Sequence, residues 1–555
     1  MRAGRRGVVA AMAVVLAGIS AGSDQLLGAP PPKDITLAPI GVYRTGYLDQ
    51  GGSEIAAYDP ATKRLFTVNL KDQRVDVIDI ADPAKPYLTL TLPITNWGSQ
   101  ANSVAVRDGV IAVAVEASPK TNPGTVVFFN AYGGLLSAVT VGSLPDMLRF
   151  TPDGEMVLVA NEGEPNSYGQ ADSVDPEGSV SIIDVSRGAE HLTAADVTTA
   201  RFTAFNGKTL DSSIRIFGPG ASVAQDLEPE YIAVSHDSKT AWVTLQENNA
   251  LGILDLKTKS FTRLVGLGFK NHNLAGNGFD PSDRDNHTNA ILNYPVFGMY
   301  QPDGIATIEH KGKTYLVTAN EGDVREWPGL PGGTEARRVG TLGLDPAKFP
   351  NAAALKNNAA LGRLNVTFYN GNTDADADFE ALYSFGARSF SVWDAGGTQI
   401  FDSGDAFERI TAARCPPVPG DLTQPGYFNA NHTNNLNSGA PNDWTHDSRS
   451  DDKGPEPENV TIAKVYGRDY AFIVLERVGG VMIYELTDPT APRFVDYINV
   501  RKFGVAAALA EAEDLGPEGI IVIGEDESPT GKPLVVVANE VSGTTRIFEI
   551  RKQKD

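Results

Sequence analysis

The sequence has 555 residues, with 56 Gly, 35 Pro, a charged fraction of 21% and a formal net charge of −22 at pH 7. Abundant turn formers at an ordinary charge density argue for many short strands joined by turns, and against a helical bundle or a disordered chain. The acidic balance argues against a nucleic-acid or anionic-membrane surface, either of which needs clustered Lys and Arg, and it suits a cation as partner.

The first segment reads as a signal peptide over 1–21. Arg2, Arg5 and Arg6 precede an apolar run over 8–19 that is too short to span a bilayer, and small residues place cleavage after Ala21. The competing reading is an ordinary buried helix. A Pro-rich linker over 22–40 leads into a single domain over 41–550. No second apolar run reaches spanning length, so a soluble mature chain without a membrane span, secreted or periplasmic, is expected. Cys415 is the only cysteine, which rules out an internal disulfide and a multi-Cys zinc site.

Along the domain one hairpin recurs: a carboxylate opens an apolar strand, a turn follows, and a second apolar strand ends in an acid. Pro145-Asp146 leads to Asn161-Glu162, Pro229-Glu230 to Gln246-Glu247, and Pro302-Asp303 to Asn320-Glu321. Pro457-Glu458 leads to Leu475-Glu476, and Pro517-Glu518 to Asn539-Glu540. The first hairpin starts at Glu54, and a weaker one ends at Glu116. A third strand is expected after each hairpin, at 75–80, 125–129, 179–184, 251–256, 389–393, 481–486 and 544–550. Fourth strands follow most of them, the one after Asp184 being hidden somewhere in 187–225.

A repeat of about fifty residues with four antiparallel strands has the length and pattern of a propeller blade. The last copy lacks a fourth strand, and an orphan strand over 41–48 could supply it, which would remove the open sheet edges. The expected fold is therefore all-β, a seven-bladed β-propeller with long insertions on one face; six or eight blades are the alternatives. Segments 163–178, 268–300, 324–387 and 403–455 exceed ordinary blade length. By strand order they open on the same rim as the acids that begin first strands and end second strands.

The candidate metal ligands follow from this placement. Glu54, Asp146, Glu230, Asp303, Glu458 and Glu518 begin first strands, which line a propeller's channel. Glu116, Glu162, Glu247, Glu321, Glu476 and Glu540 end second strands, and Asp323 follows one. Crowded carboxylates repel unless cations or hydrogen bonds compensate them, and Ca²⁺ takes six to eight oxygen ligands. The bland reading is that each acid caps turn N–H groups in its own repeat. Asp374, Asp376 and Asp378 alternate as in calcium loops, although Phe379 and Phe385 break the EF-hand pattern. Asp280, Asp283 and Asp285 make a second oxygen-rich loop. Arg325, Arg388, Lys453 and Arg477 lie among these acids. They could bind an anionic ligand such as phosphate, or simply neutralise the rim through ion pairs.

There is no Walker A motif, no His-Glu-x-x-His and no dinucleotide-binding glycine pattern, and no nucleophile–base pair can be named. His272, His287, His432 and His446 lack metal-ligand spacing.

Segments 298–303, 317–323, 382–394, 447–458 and 536–545 resemble the choice-of-anchor I family, which includes the mesenchyme-specific cell-surface glycoproteins associated with biomineralisation. The resemblance implies a seven-bladed propeller and an extracellular or surface role. Members use varied C-terminal anchors; this chain shows none, which implies release or periplasmic retention. Some relatives are labelled alkaline phosphatases. The expected function is an exported, calcium-binding propeller that engages a small anionic or surface ligand, and the alternative is a metal-dependent phosphoesterase.

Overall fold

A computed structural model describes residues 34–286, 288–374, 376–414, 427–432, 446–503 and 513–553. The expected signal peptide, Cys415 and His287 lie outside the described residues. The chain is all-β with few helices, and its described residues include seven four-stranded antiparallel sheets. In chain order their first strands are Ala56–Asp59, Gln100–Arg107, Pro145–Phe150, Pro229–Val234, Ile305–His310, Pro457–Val465 and Pro517–Ile523. We number the sheets one to seven in that order.

Second strands such as Met156–Asn161 and Leu534–Asn539 are apolar runs buried along their length rather than on alternate residues. That pattern follows from their place inside each sheet, where both faces are covered by neighbouring sheets. Apolar clusters accordingly fill the space between consecutive sheets. One cluster joins sheets one and two, another joins two and three, and so on to a cluster of Ala56, Ile78, Val536 and Ile547 between sheets seven and one. Each fully buried Val, Leu or Ile contributes about 1.5–3 kcal/mol. First strands contact one another in succession, and that of sheet seven touches that of sheet one.

Sheet seven takes its fourth strand from the other end of the chain. Ile35–Arg44 pairs antiparallel with Thr544–Lys552, from Ile35 opposite Lys552 to Arg44 opposite Thr544. The strand thus starts within the stretch expected to be linker and ends before residue 48. Pro31, Pro32 and Pro39 mask an alternation in which Ile35 and Leu37 are buried beside Phe548 and Ile550. The hidden fourth strand of sheet three is Val197–Arg201.

The insertions have structure of their own, which the sequence pattern did not show. Phe269–Asn271, Phe297–Met299, Tyr383–Ser384, Asn365–Thr367 and Ala336–Arg338 form a five-stranded mixed sheet. A core of Phe279, Val296, Val339, Leu361, Leu364 and Val366 lies against it. The insertions also hold one another. Tyr168 N donates to the Pro328 carbonyl at 2.7 Å, Asn365 N to Asp451 at 2.9 Å, and Asp405 N to Gly276 at 2.9 Å.

Candidate acidic channel site

Five of the seven first strands share a local irregularity that positions a polar side chain. Register shifts fall between Pro145 and Leu148, Pro229 and Ile232, Pro457 and Val460, Pro517 and Ile520, and Ala101 and Ser103. Such a bulge takes a residue off the hydrogen-bond ladder and re-aims its side chain. The residues released are Asp146, Glu230, Glu458, Glu518 and, in sheet two, Asn102. In sheet five Asp303 stands two residues before the strand, and in sheet one Glu54 does.

These groups meet at one cavity of about 210 Å³, lined by Glu54, Asn102, Asp146, Glu230, Asp303, Glu458 and Glu518. Glu162, Gln246 and Glu321 join from the ends of second strands, and Tyr231 from a first strand. Neighbouring first strands approach backbone to backbone here. Gly304 N donates to the Glu458 carbonyl at 3.1 Å, and a Cβ on Gly304 would lie 2.8 Å from Asn459 Cα. Only glycine allows that approach.

The electrostatics are those of buried like charges. Burial, then repulsion from neighbouring acids, pushes Asp146 up to about 7. Burial lifts Asp303 to about 8, with a hydrogen bond from Glu458 opposing the shift. Burial followed by the surrounding acids holds Glu54, Glu162, Glu230, Glu458 and Glu518 well above the ordinary carboxylate range. One carboxylate oxygen each from Asp146, Glu162 and Glu230 lies within 4.8 Å of the other two. One Glu458 oxygen is buried with no hydrogen-bond partner among the described residues. The donor set is all oxygen and mostly anionic, which suits a hard cation such as Ca²⁺.

The other predicted residues fall in several places, and Glu321 is shared with the cavity. Glu321, Glu476 and Asp323 sit with Glu456 around Lys453 and Arg477. Lys453 Nζ pairs with Glu321 and, at 3.0 Å, with Glu456; Arg477 is 3.1 Å from Glu456 and 3.0 Å from Glu476. Burial would raise Glu456, but Arg449, Lys453 and Arg477 hold it well below the usual range. Burial dominates at Glu476, raised to about 8, and at Asp323, raised to about 6. Glu540 groups with His432 and Glu476, and Glu247 is raised by burial to about 8. Glu116 accepts from Ser99 Oγ at 3.2 Å.

Arg325 and Arg388 stand away from the cavity, and their donors go to the protein. Arg325 is buried, pairs with Asp226 and, at 2.9 Å, with Glu228, and donates to the Asp226 carbonyl at 2.6 Å. Arg388 pairs with Glu408 at 2.6 Å and donates to the carbonyls of Asp280, Ser450 and Asp452. Asp374, Asp376 and Asp378 lie in a separate exposed turn, where Asp374 and Asp376 accept from backbone N–H groups two residues on.

Sequence reasoning missed Asn102, Gln246 and Glu456. Asn102 could have been found by aligning its strand with the others, since it holds the position that carries an acid in the other sheets. Gln246 reaches Glu321 at 2.7 Å, a pairing between sheets that no local pattern reveals.

Sheets in cyclic contact around an acid-lined cavity define a class of all-β repeat proteins with a polar central site. Residues 54–489 match the choice-of-anchor I domain, and the chain belongs to that family. The chain is 30% identical over 205 residues to Gigasin-3a of Magallana gigas, covering 36% of this chain and 67% of that protein. It is 26% identical over 286 residues to the mesenchyme-specific cell surface glycoprotein of Strongylocentrotus purpuratus, covering 47% of this chain and 35% of that one. The chain thus spans about a third of the latter's length. Among solved structures it is similar to Kuenenia stuttgartiensis hydrazine synthase (TM-score 0.44, 12% identity, covering 91% of this chain and 99% of that one). It is also similar to the Cps50 (Swd1) β-propeller domain of Myceliophteria thermophila (TM-score 0.40, 9% identity, covering 93% and 99%). A choice-of-anchor domain points to an extracellular or surface protein. No helix among the described residues is long and apolar enough to cross a membrane.

Proposed function

We propose that this chain is an exported seven-bladed β-propeller that binds Ca²⁺ at the acid ring of its central cavity and serves a ligand- or surface-binding role. The observation that carries the reading is the convergence of Glu54, Asp146, Glu230, Asp303, Glu458 and Glu518, from six sheets, on one cavity. Six acids capping their own turns would not need to face one another; a shared cation would compensate them together. The cyclic contact of first strands supports the blade count. The name of the Strongylocentrotus purpuratus relative, a cell surface glycoprotein, supports a surface-associated role.

The alternative, a metal-dependent phosphoesterase, calls for a cationic side chain free to orient phosphate beside the metal. Arg325 and Arg388 direct their guanidinium groups at protein carboxylates and carbonyls, which favours the binding reading. Calorimetric titration of chelator-treated protein with CaCl₂ tests the proposal. Saturable heat and a calcium-dependent rise in melting temperature are expected; neither heat nor a melting shift would refute it.

A further inference from the structure

Away from the channel, two insertions bring a second set of carboxylates together. Asp280 and Asp285 come from segment 268–300, and Asp447 from segment 403–455. One oxygen from each lies within 4.8 Å of the other two, and their residues are 0%, 7% and 0% exposed. Ca²⁺ binds oxygen at about 2.3–2.6 Å, so opposed ligands stand up to about 5 Å apart, and this set fits around one ion.

Among the described residues, two oxygens around the cluster have no hydrogen-bond partner. Asp280 Oδ1 accepts from Ser282 N at 3.1 Å, whereas Oδ2 is buried with no partner. The second oxygen belongs to a residue outside the acidic group. Asn429 is fully buried, and its amide nitrogen donates to Glu408 Oε1 at 3.1 Å and to Ser450 Oγ at 2.8 Å. Because a carboxylate can only accept, those bonds fix which end of the amide is oxygen, and that Oδ1 has no partner. Ser450 Oγ in turn donates to Asp447 Oδ1, so Asn429 and Asp447 meet at one hydroxyl. An unmatched buried oxygen is costly unless a partner meets it. Among the described residues, the neighbouring cation Arg388 is balanced by Glu408 and also donates to the carbonyls of Asp280 and Ser450. Asp285 accepts from Thr288 N at 3.2 Å and from the Thr288 hydroxyl, which orients it without neutralising it.

We propose that Asp280, Asp285 and Asp447, with Asn429 Oδ1, form a buried divalent-cation site, separate from the channel, that staples segment 268–300 to segment 403–455. The all-oxygen, anionic set selects Ca²⁺ over softer metals.

Hydrogen–deuterium exchange of the full chain, in chelator and with Ca²⁺ or Mg²⁺ alone as the probe, tests this. Calcium is expected to protect 280–286 and 446–452. Asp280→Asn should shift the calcium dependence of that protection at least about tenfold, the scale on which ligand-sphere changes act. Asp285→Asn serves the same purpose if Asp280→Asn does not fold. The channel variant Glu230→Gln should leave the protection unchanged, which separates this site from the channel site. Protection in wild type that does not respond to calcium, or that responds equally in the Asp280 or Asp285 variant, overturns the proposal. Equal protection by Mg²⁺ at the same concentration overturns the choice of calcium.

Discussion

Asp303 and Glu458 stand at the entries to the neighbouring first strands of sheets five and six and interact through their side chains inside the cavity. Two buried carboxyl groups in contact cannot both be ionised without a compensating charge, so in the absence of a cation the pair retains a proton. Glu458→Gln keeps a donor for Asp303 and removes one negative charge. In chelator this variant should melt at or above the wild-type temperature, because a costly buried acid is gone. In saturating calcium it should gain less than the wild type does. A tenfold weaker site forfeits about 1.4 kcal/mol of ligand-linked stability, readable as a smaller melting shift.

The same acids set a pH dependence. Asp146 stands at about 7 and Asp303 at about 8, both raised first by burial. Glu247 and Glu476, also raised first by burial, stand at about 8. Between the ordinary carboxylate range near 4 and these values, the folded chain binds more protons than the unfolded chain, so stability falls as pH rises. In chelator the melting temperature should therefore decline from about pH 5 to pH 8. Saturating calcium should flatten that decline, since the ion favours the ionised acids. Differential scanning calorimetry at a series of pH values, with and without calcium, reads both slopes.

Arg325 is a fastener between the 324–387 insertion and the strand entry of sheet four. Its loss would leave Asp226 and Glu228 buried and unpaired, both being 1% exposed or less. Arg325→Ala should cost about 3–5 kcal/mol, the scale for removing one partner of a buried ion pair. Denaturant unfolding measures it. A role in binding phosphate at the channel would instead leave stability near wild type.

Most of the fold was legible because each repeat carries its own local pattern. The hairpins beginning at Asp146, Glu230, Glu458 and Glu518 read directly, since a Pro-acid pair precedes each apolar run. The third strand Ser179–Asp184 falls where the repeat predicts it. The strand Ile35–Arg44 was displaced in the reading because its partner, Thr544–Lys552, lies about five hundred residues away and prolines obscure its alternation. The five-stranded insertion sheet was invisible for a related reason: strands of two or three residues, such as Tyr383–Ser384, are too short to show a period. The ring of acids could be inferred from strand order. What strand order could not show is which bases stay free, since Arg325 and Arg388 are matched by Glu228 and Glu408, residues brought near only by folding.

The most direct test of the account is diffraction from calcium-soaked crystals, with the anomalous signal recorded at a long wavelength. The account predicts a peak in the central cavity within coordination distance, about 2.3–2.6 Å, of carboxylate oxygens from Asp146, Glu162 and Glu230. A cavity without such a peak at saturating calcium, its acids bonded only to water and to one another, would contradict it.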